Sequence, residues 1–198
     1  MTTTGQANRA IRLQVIVASN RPGGNGRPVG EWVAARAAEH GAFEVRLVDL
    51  AAVRLPFLDE PELPSTGDYR HRHTKEWSAT VAAAEAFVLV MPMYNGGYGA
   101  VLKNALDFLY AEWHGKPVAL VSYSAGATGG APAAKMIRPV LRRLALRVTA
   151  AATAIPHVGT LIAPDGGLSA PAALAASLAA QLDELAAAHR EPGPGPAA

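Results

Sequence analysis

The chain has 198 residues, half of them hydrophobic and 17% charged, a composition that suits one well-buried α/β domain and excludes a disordered or heavily solvated chain. The formal net charge is only +2, and the arginines are scattered without a run of like charge, so no nucleic-acid surface is expected. The absence of cysteine excludes disulfides, thiolate metal sites, cysteine-held iron–sulfur clusters and thiol catalysis.

Residues 1–9 are small and polar, without the charged and apolar regions of a signal peptide, and no apolar stretch reaches the ~18–20 residues that cross a bilayer. A cytoplasmic location with no membrane partner is therefore expected. Short apolar runs then alternate with amphipathic or alanine-rich stretches, as buried parallel strands alternate with helices. Residues 13–18 read as the first strand, 29–39 as the first helix, ending toward Gly41, and 43–48 as the second strand. Residues 54–72, with Pro56, Pro61 and Pro64, read as a long loop. Thr74 is placed to cap a helix reaching residue 84, and residues 86–91 form a third, almost wholly apolar strand expected at the sheet centre. Residues 98–110 read as a helix, 116–123 as a strand, 131–144 as a helix with Pro139 at an awkward interior position, and 147–152 as the last strand. A connection punctuated by Pro and Gly leads to a terminal helix over 171–189, whose Ala172, Leu174, Leu178, Leu182 and Leu185 make a packing face. Residues 10–190 thus read as a single domain, and 1–9 and 191–198 as flexible termini.

Five strands with intervening helices imply a doubly wound parallel sheet in three layers, because right-handed crossovers distribute the helices over both faces. The expected strand order is 2-1-3-4-5. Ligands of such sheets bind beyond the carboxyl ends of the strands, where the winding reverses. That rule gathers residues 19–27, 92–99 and 122–130. The first of these loops combines Ser19, Asn20, Arg21 and Arg27 with glycines ahead of a helix, a donor set suited to an anion such as phosphate. Gly24, Gly26 and Gly30, with Asp49 downstream, also suggest a dinucleotide fingerprint, but they begin too far beyond the strand end for its tight first turn. His71 and His73, near Asp59, Glu60 and Asp68, read as a solvated loop rather than a metal site. Ser122, Ser124 and His157 lack the G-x-S-x-G elbow of a hydrolase.

The second loop and the helix after it carry a more specific signal. Pro92, Tyr94, Asn95, Leu102, Lys103, Asn104, Ala105, Leu106 and Asp107 match the P-E-Y-N-x-x-x-P-x-x-L-K-N-A-L-D signature of the NADPH-dependent FMN reductase family, which includes quinone, azo-dye and chromate reductases. Ser19, Arg21, Pro22 and Gly23 resemble its G-S-x-R-P-G phosphate loop, with Ala18 in place of the first glycine. Gly115, Lys116, Pro117 and Val118 resemble its G-K-P-V, and Val121, Ser122 and Tyr123 its V-S-Y-G. The resemblance runs from about residue 15 to residue 155.

The resemblance implies a flavodoxin-like fold and an enzyme that carries FMN, takes electrons from NADPH or NADH and passes them to a small acceptor. It also implies a homodimer or homotetramer with the flavin near the interface. Ser19, Asn20, Arg21, Asn25, Gly26 and Arg27 would hold the FMN phosphate. Pro92, Met93, Tyr94, Asn95, Gly96 and Gly97 would run along the isoalloxazine, and Ser122, Tyr123, Ser124 and Gly126 would close over the ribityl chain and ring edge. No side chain is expected to act as a catalytic acid or base, because hydride acceptance and release are the cofactor's own chemistry. The chain departs from the family pattern in three places: Met93 stands where Glu is usual, Gly96 and Gly99 where larger residues or Pro are common, and Ser124 where Gly is usual. The first two make the flavin's surroundings less polar and roomier, so the expected acceptor is a small molecule bulkier and more apolar than is usual in the family, quinone-like or free flavin. A flavin-binding electron carrier without efficient NAD(P)H turnover is the alternative reading of the same fold.

Overall fold

The computed structural model describes residues 9–191, so the rest of the termini expected to be flexible, 1–8 and 192–198, lies outside the described residues. In chain order the elements are β1 (Ile11–Val17), α1 (Gly26–Glu39), β2 (Phe43–Asp49), the single turn α2 (Leu50–Val53), α3 (Arg72–Ala82), β3 (Ala86–Tyr94) and β4 (Gly97–Tyr98). They continue with α4 (Ala100–Asp107), β5 (Pro117–Tyr123), α5 (Ala131–Arg143), β6 (Arg147–Val148), β7 (Thr153–Ile155) and α6 (Ala172–Arg190). The sheet runs in the order β2-β1-β3-β5-β6, with every pair along this path parallel. Counted as five principal strands, this is the 2-1-3-4-5 order of a flavodoxin-like, doubly wound fold.

The central strands are apolar nearly throughout because helices cover both faces of the sheet, and their alternation sorts side chains between two cores. Phe87, Leu89 and Met91 of β3 join Trp77 of α3, Leu102 and Leu106 of α4, and Ile137 and Leu141 of α5. Val88 and Val90 point the other way, to Val29 and Val33 of α1 and to Leu178, Leu182 and Leu185 of α6. The expected packing face of α6 is thus real at Leu178, Leu182 and Leu185. Ala172, at its exposed first turn, lies outside it.

Several boundaries differ from the sequence reading, three of them for a visible physical reason. α3 begins at Arg72 with His71 in the capping position, and Thr74 is buried within the first turn instead of capping it. α4 begins at Ala100, because Tyr98 is taken into an antiparallel pair with Met93. The last strand is broken: β6 ends at Val148, and β7 resumes the pairing with β5 five residues later. Side chains occupy the backbone in between. Arg138 donates to the carbonyls of Thr149 and Ala150, Glu184 accepts from the Ala150 and Ala151 amides, and the buried Gln181 amide donates to the Ala151 carbonyl. Pro139 sits inside α5, which continues past it to Arg143. Pro139 and Lys135, the residue whose carbonyl it leaves unpaired, both face solvent, so water can serve that carbonyl.

Candidate functional site

β1 ends at Val17 opposite Val90, while β3 runs on to Tyr94, and Pro92 pairs with Tyr123 at the end of β5. The loops leaving these three strands therefore converge where the winding reverses. They frame a cleft of about 330 Å3, lined by Ser19, Arg21 and Asn25 from the first, Pro92, Met93 and Tyr94 from the second, and Tyr123 and Ser124 from the third. Gly23 and Gly24 complete the first wall. A contiguous depression on the outer side of the first loop is lined by Asn20, Gly26 and Arg27, together with Asp49.

The floor is set by close packing. A Cβ on Gly26 would lie 2.8 Å from the Tyr123 hydroxyl and 2.9 Å from the Ser19 Cβ, so only glycine lets α1 start this near the strand ends. Ser19 is 6% exposed, its Oγ within 3.4 Å of both the Tyr94 hydroxyl and the Arg21 N–H. Burial, reinforced by Tyr94 and opposed by the Ser19 hydroxyl, pushes the Tyr123 phenol up to about 12, so it stays protonated and able to donate near neutrality.

The donors above this floor are uncommitted. α1 has no side-chain cap and no acid in its first turn, which leaves the Gly26 and Arg27 amides and the positive end of the helix dipole facing outward. Among the described residues the side chains of Asn20, Arg21 and Asn25 have no hydrogen-bond partner. Arg27, in contrast, is engaged by Glu31 at 2.8 Å and Asp49 at 3.6 Å. Opposite lie the apolar and aromatic surfaces of Pro92, Met93 and Tyr94. The set fits FMN in kind: unpaired anion donors at one end and a wall suited to a planar ring at the other.

Five sequence-derived candidates take structural positions and line neither the cleft nor the depression beside it. Asn95 and Gly96 have φ of 50° and 85° and form the two-residue turn between β3 and β4, as an Asn-Gly dipeptide does in a type I′ hairpin. Gly97 lies on β4 against Met136 of α5. Ser122 is fully buried and donates to the Gly129 carbonyl at 2.9 Å. Gly126 works through its carbonyl, which accepts from the Ser124 hydroxyl and from the Gly129 and His157 amides, tying the third loop to the segment after β7. That segment supplies Val158, a cleft residue with no sequence signal, and the neighbouring Ala125 was equally silent.

The signature helix has a second task. Asn104 donates to the Pro56 carbonyl at 2.7 Å and accepts from the Leu58 amide at 3.0 Å, clamping the loop that follows α2. The Glu60 carboxylate fixes the same loop farther on. Burial works against its ionisation, but hydrogen bonds from the Arg70 and His71 amides, with the Thr74 hydroxyl beside it, hold it down at about 2. His71 and His73 stack at 5.2 Å and His73 meets Asp59, but the described residues include no cluster of three or more metal-ligating side chains. No helix among the described residues is long and apolar enough to cross a membrane.

Residues 11–160 match the family described as NADPH-dependent FMN reductase. An NAD(P)H-dependent FMN reductase of Schizosaccharomyces pombe is 42% identical over 139 residues, covering 69% of this chain and 68% of the relative. One from Saccharomyces cerevisiae is 37% identical over 129 residues, covering 62% of this chain and 66% of the relative. The aligned segment thus spans about two thirds of the length of these curated relatives. Among solved structures, the flavoenzyme NAD(P)H:(acceptor) oxidoreductase FerB of Paracoccus denitrificans superposes with a TM-score of 0.72 at 19% identity, over 93% of this chain and 100% of that one, a likeness of fold. A family match over most of the chain, in the same order of loops that builds the cleft, makes this protein a member of the NADPH-dependent FMN reductases, oxidoreductases that use FMN and NAD(P)H.

Proposed function

We propose that this chain is an FMN-dependent NAD(P)H oxidoreductase that reduces a small, apolar, quinone-like acceptor in two successive half-reactions. The observation that carries the reading is the pairing of uncommitted anion donors, Arg21 with the bare start of α1, with an apolar and aromatic wall across one cleft. In this reading Arg21, Asn20, Asn25 and the Gly26 and Arg27 amides bind the FMN phosphate. Tyr94 and Met93 orient the isoalloxazine and keep water from one side of it, and Ser124 and the protonated Tyr123 hydroxyl serve polar edges of the cofactor. Arg27 acts mainly by holding the loop against Asp49. FMN, when bound, supplies the hydride chemistry, and the net reaction is NAD(P)H + H+ + quinone giving NAD(P)+ and hydroquinone. Action as a homodimer or homotetramer in the cytoplasm, with residues 10–190 as one domain, belongs to the same proposal.

The test is direct. Protein purified under native conditions is expected to show flavin absorbance, or to gain it when titrated with FMN, and to consume NAD(P)H steadily with a quinone. FMN binding without such consumption would support the electron-carrier alternative, and a colourless protein that ignores FMN would remove both.

A further inference from the structure

At the end of the sheet away from the cleft, a cavity of about 230 Å3 lies over the first residues of β1 and β2 and beside the chain that leaves α3. It shares no residue with the cleft or with the depression next to it. Strand alternation puts Arg12 and Gln14 of β1, and Glu44 and Arg46 of β2, on the face that α3 covers. The parallel register sets Arg12 against Glu44 and Gln14 against Arg46. Ala83 and Ala84, just past the end of α3, add carbon to the wall. Ile16, the next residue of β1 on this face, belongs to the core, so an apolar side chain would be ordinary at position 14 as well.

Gln14 is instead polar, 3% exposed, and held in one orientation. Its Nε2 donates to the Thr80 carbonyl of α3, and turning the amide over would set two acceptor oxygens against each other. Oε1 therefore stays on the other side, buried, with no hydrogen-bond partner among the described residues. A buried acceptor without a donor is costly, so this one calls for a donor in the cavity that Gln14 lines. The charges around it differ in what they already serve. Arg12 donates to the Ala83 carbonyl at 2.7 Å and lies 3.6 Å from Glu85. The side chains of Glu44 and Arg46, which line the same cavity, have no hydrogen-bond or ion-pair partner among the described residues.

A guest that answers these three groups has a donor for Gln14, a positive charge for Glu44 and a negative charge for Arg46, set close together. Metal cations are opposed by the guanidinium groups of Arg12 and Arg46, and phosphorylated guests by the Glu44 carboxylate. An α-amino acid carries the right set. Its ammonium has N–H donors enough for both Gln14 Oε1 and Glu44, and its carboxylate accepts the forked donors of a guanidinium. The cavity falls below the roughly 300–1,000 Å3 of drug-sized sites, which suits so small a guest. We infer that this cavity is a second ligand site, which binds a free α-amino acid with its small apolar side chain against Ala83 and Ala84. The inference does not rest on the oxidoreductase reading.

Calorimetric titration of the purified full chain with L-valine tests the site. L-Valinamide, which lacks the carboxylate, and N-acetyl-L-valine, which lacks the ammonium, are the controls. L-Valine is expected to bind saturably and to raise the Tm as its concentration rises, with both blocked analogues at least about ten-fold weaker. Gln14→Leu replaces the amide by an apolar side chain of similar size. It is expected to weaken valine about ten-fold or more, while FMN affinity stays within about two-fold and the Tm without valine is no lower than in wild type. Arg46→Ala, on the exposed edge strand, should also weaken valine about ten-fold, and it decides the question even if Gln14→Leu does not fold. No saturable valine binding up to about 10 mM, equal binding of the three compounds, or an unchanged valine affinity in Arg46→Ala would overturn the site. A raised Tm in Gln14→Leu with no valine binding to wild type would overturn it in favour of a buried water on Oε1.

Discussion

Arg21 in the first loop and Arg27 in the first turn of α1 are six positions apart, and their neighbours tell them apart. Arg27 already satisfies Glu31 and Asp49, so an incoming phosphate would compete with two carboxylates for it. The guanidinium of Arg21 has no such partner among the described residues and lines the cleft itself. Charge-assisted hydrogen bonds are the strong ones, so Arg21→Ala is expected to weaken FMN binding by about 1.5–3 kcal/mol and Arg27→Ala by less than about 1 kcal/mol. Riboflavin, which lacks the phosphate, should bind both variants as it binds wild type. Parallel titrations with FMN and riboflavin decide this, and equal losses for the two ligands would take the phosphate away from Arg21. The difference between the two arginines was not legible in the sequence, because Asp49 reaches Arg27 from the end of another strand. The phosphate loop as a whole was legible, since donors, glycines and helix start are consecutive.

At the scale of elements, the parallel strands could be read because burial on both faces leaves an unbroken apolar run, a strictly local signal. The break between β6 and β7 could not, because it is imposed by Arg138, Gln181 and Glu184 from two helices that meet the chain only after folding. The β3–β4 hairpin is an intermediate case. Asn95-Gly96 is a hairpin signal in its own right, yet it lies inside a stretch that resembles a cofactor loop, and the two readings assign different work to adjacent glycines. Gly96 needs its φ of 85°, which an L side chain adopts at a cost of about 1–2 kcal/mol, whereas Gly97 has no such constraint. A Cβ on Gly97 would lie 3.2 Å from the Met136 sulfur, at the end of a flexible and largely exposed side chain, and in ordinary contact at 3.8 Å with the Tyr94 carbonyl. Gly96→Ala should therefore lower the Tm of the apo protein by about 2–8 °C, and Gly97→Ala by less than about 2 °C. Equal shifts in the two would mean that the turn is not what Gly96 serves. Gly97→Val extends the comparison to the ligand: the cofactor reading expects FMN affinity to fall about ten-fold while apo stability drops by less than the corresponding ~1.4 kcal/mol.

Across the described molecule, the loops leaving β1, β3 and β5 frame a cleft where the winding reverses, and this would limit how a two-substrate reaction can proceed there. β1, β3 and β5 support its base, so FMN held there would meet its reactants from the side that opens to solvent. Any reactant must approach from that side. In the proposed reading the nicotinamide and the reactive end of the acceptor would need the same exposed position. Donor and acceptor then take turns. In the proposed two-step reading NAD(P)+ would leave before the acceptor approaches, as the first product does in other double-displacement enzymes. Double-reciprocal plots with NAD(P)H varied at several fixed quinone concentrations are expected to be parallel. NAD(P)+ should inhibit competitively against the quinone, since both bind the form of the enzyme left after the first half-reaction. Rapid mixing offers an independent check: without quinone, NAD(P)H should bleach the flavin band in a single turnover and release NAD(P)+. Intersecting lines would mean that both substrates are bound together. That result would require two faces of the flavin to be open, contrary to a cofactor supported by the ends of β1, β3 and β5.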